Sequence, residues 1–124
     1  QALAGALNAR YPGRVSVFAD TAQALEGATG LIHATPTGMA NLPGLPLAAE
    51  LLHPSLWVSE VVYVPIETGL LKAARVAGCP TVDGGSMAVG QAVGAFELFT
   101  GRKADAARME RHLRQLLAHT DRRT

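Results

Sequence analysis

Gln91 is a polar amide near the centre of an otherwise apolar or small-residue stretch, residues 86–101. A buried amide without a partner costs about 1 to 3 kcal/mol, so we expect Gln91 to be buried and bonded, and we favour a ligand as its partner. The stretch opens from Asp83-Gly84-Gly85, where glycines allow close backbone approach and a helix N-terminus offers free N–H groups. The pattern predicts a site for a polar small molecule. The alternative is that Gln91 bonds a loop carbonyl inside the protein.

Other kinds of reactive site have no support in the sequence. The four histidines form no His-Glu-x-x-His pattern, and the lone Cys79 gives no zinc-binding spacing. The sequence also lacks a Gly-x-Ser-x-Gly elbow for a nucleophilic serine. We therefore predict neither a metal nor nucleophilic hydrolysis.

Composition narrows the class of protein and its partners. The 124 residues are 48% hydrophobic and 17% charged with a net charge of +1, which is typical of one packed domain without the basic face that nucleic acid requires. One cysteine cannot form an internal disulfide, and no signal peptide or membrane-length apolar run occurs. We expect a cytoplasmic protein with neither nucleic-acid nor membrane partners.

Short β-like runs alternate with helical patterns along the chain. The predicted helices are 1–9, 21–28, 47–52, 69–77, 86–101 and 104–119, and the predicted strands are 15–19, 31–35, 57–63 and 81–83. This alternation indicates βαβ units and a mostly parallel sheet, in which ligands bind beyond the carboxyl ends of the strands. Distinctive residues follow three of these strands: His33, Thr35 and Thr37, then Tyr63, then Gly84 and Gly85.

Four runs, in this order and spacing, resemble the C-terminal half of the shikimate/quinate dehydrogenase family. They are Ala34-Thr-Pro-Thr-Gly-Met39, Val61-Val-Tyr-Val-Pro-Ile-Glu-Thr68, Gly69-Leu-Leu-Lys-Ala-Ala-Arg75, and Asp83-Gly-Gly-Ser-Met87 with Gln91 and Ala95-Phe96. The resemblance implies an NADP- or NAD-dependent oxidoreductase that reversibly reduces 3-dehydroshikimate or 3-dehydroquinate, a polyhydroxylated cyclic acid. Such an enzyme serves the shikimate pathway of aromatic amino acid biosynthesis.

The resemblance also implies roles for individual residues. Gln91 and Tyr63 correspond to substrate-binding positions. The cofactor-binding positions correspond to Ala34, Thr35, Pro36, Thr37, Val61, Gly84 and Met87. No catalytic residue is expected in this chain. Without the resemblance, Tyr63 would read as an ordinary strand-end aromatic and Gly84 as part of a tight turn.

The implied fold is a partial Rossmann-like, doubly wound α/β sheet. In the strand order 3-2-1-4-5-6, Val15–Ala19 corresponds to strand three and Leu31–Thr35 to strand four, so the first two strands and the N-terminal substrate domain are missing. We expect residues 1–124 to be the C-terminal portion of a dinucleotide-binding domain, with a helical extension over 86–119. The unpaired strand edges predict association, either as a homo-oligomer or with the missing N-terminal part.

Because parts of the enzyme are missing, we predict that the chain alone has no dehydrogenase activity. No Gly-x-Gly-x-x-Gly turn is present for the pyrophosphate, and the family's catalytic Lys and Asp pair belongs to the absent domain. A helix without an N-cap at residue 1 favours a fragment of a longer enzyme. A non-catalytic binding or interaction module is the alternative.

Two positions depart from the family pattern. Glu60 stands where Asp is usual, and His33 where Asn is usual. Both flank the expected site, so we expect them to change the geometry of the loops that carry Ala34 and Val61.

Overall fold

Helices and strands alternate in the computed structural model, which describes residues 1–120. The helices are α1 (Ala2–Arg10), α2 (Thr21–Leu25), α3 (Gly69–Val76), α4 (Gly84–Thr100) and α5 (Ala106–Thr120), and the strands are β1 (Gly30–His33), β2 (Trp57–Glu60) and β3 (Thr81–Val82). A short 3₁₀ turn spans Ala49–Leu51. The predicted domain span of 1–124 includes residues 121–124, which lie outside the described residues.

The three strands form one parallel sheet in the order β1-β2-β3. In its register His33 lies opposite Glu60, and Val58 opposite Thr81. The neighbours and their direction are those expected for strands four, five and six of a doubly wound sheet. The predicted α/β class with a parallel sheet is confirmed.

The predicted strand Val15–Ala19 is wrong, because the segment has no regular structure. Val15 is half-buried and the other side chains are exposed, with Val17 at 61% and Phe18 at 51%. The backbone of Val15 bonds a side chain instead of a neighbouring strand. Asn8 Nδ2 donates to the Val15 carbonyl at 2.6 Å, and Asn8 Oδ1 accepts from the Val15 N–H at 3.0 Å. No strand within the described residues lies beside the segment, so β-propensity alone does not produce a ladder.

Three helices each begin directly after a residue whose side chain caps the helix. Asp20, Thr68 and Asp83 each accept a hydrogen bond from an N–H in the first turn of α2, α3 and α4. The cap at Asp83 starts α4 two residues before the predicted position, at Gly84. The predicted helix 47–52 is only the 3₁₀ turn, and the strands predicted to end at Thr35 and Tyr63 end at His33 and Glu60.

The core lies on one face of the sheet, between β2, α3 and the 3₁₀ turn. Its buried side chains are Leu52, Leu56, Val58, Leu70, Ala74 and Cys79. The opposite face is open, with Ile32 at 64% and Val82 at 54% exposure. Helix α4 packs against α5. No helix in residues 1–120 is long and apolar enough to cross a bilayer.

Candidate functional site

The loops that follow β1 and β2 are joined by backbone hydrogen bonds. The Val61 N–H donates to the His33 carbonyl at 3.0 Å, and the Ala40 N–H donates to the Val64 carbonyl at 3.1 Å. Because both loops leave the carboxyl ends of neighbouring parallel strands, they form the two sides of one cleft.

A cavity of about 320 Å³ lies between these loops. Its walls are Ala34, Thr35, Pro36 and Met39 from the first loop, and Val61, Val62, Tyr63 and Val64 from the second. Five predicted site residues therefore share this cavity: Ala34, Thr35, Pro36, Val61 and Tyr63. Most of the lining is apolar, which suits a flat ring, and Thr35 and Tyr63 bring hydroxyl groups.

Gly84 brings the start of α4 against the second loop. A Cβ at this buried position would lie 2.4 Å from the Val61 carbonyl oxygen and 2.6 Å from that of Val62. Only glycine permits this approach, since both neighbours are backbone atoms. The predicted cofactor residues Gly84 and Val61 are thus in direct contact, although Gly84 does not line the cavity.

The prediction that Gln91 is a buried amide is wrong. Its side chain is exposed, and it makes no hydrogen bond to the described part of the chain. The reason is that α4 is buried only near its start, at Gly84, Gly85 and Val89. Gln91 lies seven residues after Gly84, which is about two turns and about 10 Å along the same side of the helix. Gln91 therefore lies on the same face of α4 as Gly84, which contacts Val61.

Two further predicted cofactor residues stand outside the cavity wall. Thr37 and Met87 are both half-buried. Thr37 precedes Gly38, whose N–H donates to the Leu42 carbonyl at 2.8 Å and so shapes the first loop. Met87 lies on α4 between Gly84 and Gln91.

A buried polar network beneath the cavity was missed by the sequence prediction. His33 Nδ1 lies 2.9 Å from Glu60 Oε1, which also accepts from the Val62 N–H at 3.0 Å. Glu60 Oε2 accepts from the Thr68 hydroxyl at 3.0 Å, and His33 Nε2 lies 2.5 Å from Thr35 Oγ1. His33, Glu60 and Thr68 are at most 4% exposed.

A signal for this network is present in the sequence. Both His33 and Glu60 are singled out in the sequence analysis, and they lie opposite each other in the sheet. The network satisfies every polar atom of the pair, because no buried side-chain nitrogen or oxygen lacks a partner among the described residues.

Asp83 links the start of α4 to α5. Its carboxylate accepts from the Ser86 N–H at 3.1 Å and pairs with the Arg114 guanidinium at 3.2 Å. Burial opposes ionisation of Asp83, but the Ser86 N–H, Arg114 and the Gly85 N–H together hold its pKa below the ordinary 3.8. The ion pair therefore links the start of α4 to α5 beside the glycine turn.

A larger cavity of about 510 Å³ lies between α4 and α5. It is lined by residues such as Phe96, Arg108, Met109 and His112, and it contains none of the predicted site residues. No group of three potential metal-ligating side chains occurs in the part of the chain that the structure describes. We therefore regard the cavity between the strand-end loops as the candidate site.

Comparison with known proteins finds a family model and several enzymes that are similar to this chain. Residues 86–114 match the family model of the shikimate 5'-dehydrogenase C-terminal domain. A shikimate dehydrogenase (NADP(+)) of Streptomyces avermitilis is 60% identical over 111 residues, which cover 87% of this chain and 38% of that protein. A quinate/shikimate dehydrogenase (NAD(+)) of Corynebacterium efficiens is 49% identical over 113 residues, covering 88% of this chain and 39% of the relative.

Solved structures of such enzymes share the fold. Quinate dehydrogenase from Corynebacterium glutamicum in complex with NAD superposes with a TM-score of 0.74 at 47% identity, covering 90% of this chain and 40% of that one. Shikimate 5-dehydrogenase from Thermus thermophilus in complex with NADP(H) and shikimate gives 0.74 at 29% identity, covering 89% and 41%. The chain spans about two fifths of the length of these relatives.

Proposed function

Because the chain belongs to the shikimate/quinate dehydrogenase family, we propose that it forms the nicotinamide side of such an enzyme. The enzyme would pass hydride between 3-dehydroshikimate or 3-dehydroquinate and NADP or NAD. The observation that carries the proposal is the shared cavity of Ala34, Thr35, Pro36, Val61 and Tyr63 at the carboxyl end of a parallel sheet.

The cavity fits the nicotinamide end of the cofactor. Ligand cavities span about 300 to 1,000 Å³, so about 320 Å³ accommodates one ring and its substituent, not a whole dinucleotide. Its walls are mainly alanine, proline, methionine and valine side chains, which would give the ring apolar contacts. When bound there, the nicotinamide supplies or accepts the hydride.

The substrate would lie between the cavity and α4. Tyr63 lies at the cavity edge and is 43% exposed, while Gln91 lies on the helix side that begins beside Val61. An exposed amide without a protein partner is free to donate to and accept from ring hydroxyls. Tyr63 and Gln91 would thus orient the polyol from two directions.

The proposed domain assignment follows from the same features. We propose that residues 1–124 are the C-terminal portion of an NAD(P)-binding domain, with the helical segment 86–119 as its extension. The open face of the sheet, where Ile32 and Val82 are exposed, supports a larger domain, since parallel sheets are usually covered on both faces. The chain alone would have no dehydrogenase activity, because its 124 residues contain no Gly-rich pyrophosphate turn.

A hybrid enzyme tests the proposal. Residues 1–120 of this chain would replace the homologous part of the Streptomyces avermitilis enzyme, and shikimate oxidation by NADP⁺ would be followed in a hybrid shown to be folded by circular dichroism. We expect activity, and we expect Gln91→Ala to raise the KM for shikimate by about 5- to 150-fold, the equivalent of about 1 to 3 kcal/mol.

Gln23→Ala is the matched control, because Gln23 is an exposed glutamine in α2, before the amino end of β1. It should leave the KM for shikimate unchanged. A folded hybrid without shikimate-dependent reduction of NADP⁺ would refute the proposed function and favour a non-catalytic module. The 124-residue chain by itself should give no turnover, and any substrate-dependent turnover would contradict the proposed dependence on the missing parts.

A further inference from the structure

The contacts of the buried network beneath the cavity favour one hydrogen-bond direction. Glu60 meets three groups that can donate: the Val62 N–H, the Thr68 hydroxyl and His33 Nδ1. The Thr68 oxygen itself accepts from the Leu71 N–H at 3.2 Å, so its proton is free to point at Glu60. An ionised carboxylate only accepts hydrogen bonds, and in that form Glu60 requires a proton on His33 Nδ1.

The series of hydrogen bonds continues from His33 to Thr35 in the cavity wall. In a neutral imidazole that is protonated at Nδ1, Nε2 is an acceptor. With the ring in this neutral form, the Thr35 hydroxyl, 2.5 Å from Nε2, donates its proton to the ring, whereas an imidazolium would reverse the bond. A hydroxyl that donates its single proton inward keeps its lone pairs for a partner on the other side.

Thr35 lines the cavity, so those lone pairs serve a ligand. We propose that Thr35 Oγ1 is a directed acceptor for the carboxamide NH₂ of the nicotinamide, and that His33 and Glu60 are positioning residues that set its polarity. This inference rests on the proposed function of the cavity.

The test is the preference of the active hybrid for NADP⁺ over its acetylpyridine analogue, in which a methyl ketone replaces the carboxamide and removes the NH₂ donor. The ratio of kcat/KM for the two cofactors is measured in each variant. Because both cofactors share every other contact, a structural defect that weakens binding in general leaves this ratio unchanged.

Thr35→Val removes the acceptor, and the preference for NADP⁺ should fall by about threefold to tenfold, the value of one hydrogen bond. Thr35→Ser keeps the hydroxyl and should restore the preference. Thr35 is exposed, so neither change should prevent folding. Glu60→Leu removes both oxygens of the side chain, leaves the Nδ1 proton of His33 without its acceptor, and should lower the preference as Thr35→Val does.

A second measurement does not need the cofactor. The ¹⁵N chemical shifts of His33 in the 124-residue chain should show a neutral ring with its proton on Nδ1. A ring with a proton on Nε2, either alone or together with one on Nδ1, would overturn the inferred direction even if Glu60→Leu failed to fold.

The outcomes separate this inference from the proposed function. An active hybrid whose cofactor preference is the same in Thr35→Val as in the parent would refute the carboxamide contact alone. A folded but inactive hybrid would refute the proposed function, and the carboxamide contact with it.

Discussion

Gly84→Ala should destabilise the chain, although replacing glycine by alanine usually favours a helix. Gly84 is the first residue of α4, and it is buried against the loop that follows β2. A methyl group there would lie 2.4 Å from the Val61 carbonyl oxygen and 2.6 Å from the Val62 carbonyl oxygen. Neither oxygen can rotate away, because both belong to the backbone.

The size of the effect follows from two opposing contributions. Alanine in place of glycine within a helix stabilises by about 0.5 to 1 kcal/mol, whereas overpacking costs about 1 to 3 kcal/mol. The contact is with backbone, so we expect the upper part of that range. The free energy of unfolding should therefore fall by about 1 to 2 kcal/mol.

Gly90 and Gly94 supply matched controls in the same helix. A Cβ at either position meets nothing within 4 Å, so Gly90→Ala and Gly94→Ala should each raise the unfolding free energy by about 0.5 to 1 kcal/mol. Urea unfolding followed by circular dichroism gives the three values. If Gly84→Ala stabilised the chain as much as Gly90→Ala, the close approach of α4 to Val61 would be wrong.

Three other substitutions test separate parts of the structure. Gln91→Ala should change the unfolding free energy by less than about 0.5 kcal/mol, since the side chain is exposed; a larger loss in urea unfolding would indicate a protein partner. Arg114→Gln should lower stability by at most about 1 kcal/mol at pH 7. The Arg114 pair lowers the pKa of Asp83, so its contribution is present above about pH 4 and disappears as pH falls through the folded-state pKa; a loss that persisted unchanged at pH 2 would contradict it. Leu56→Ala, at a fully buried core position, should cost about 2 to 5 kcal/mol, and a cost below 1 kcal/mol would place Leu56 outside the core.

Local patterns predicted the sheet and several helix ends well. The alternation of β-like and helical runs predicted the three strands of the parallel sheet. The helix predicted over 69–77 spans Gly69–Val76, and Gly78, which has a positive φ, follows its end. These features depend on residues close together in the chain, where capping and backbone freedom decide the structure.

Features that depend on distant neighbours were predicted less well. Val15–Ala19 has the composition of a strand, but a strand forms only beside another strand. Gln91 was expected to be buried because its helix is apolar, yet burial depends on what packs against the helix, and α4 is covered only near its start. The contact between His33 and Glu60 spans 27 residues, so it follows from the sheet register and not from either residue alone.

A crystal structure of the hybrid enzyme with NADP⁺ and shikimate would test the central claim most directly. The account predicts the nicotinamide ring in the cavity of Thr35, Val61 and Tyr63, and the Gln91 amide within about 3.2 Å of a substrate hydroxyl. A nicotinamide bound elsewhere, or a Gln91 side chain directed away from the substrate, would contradict the account.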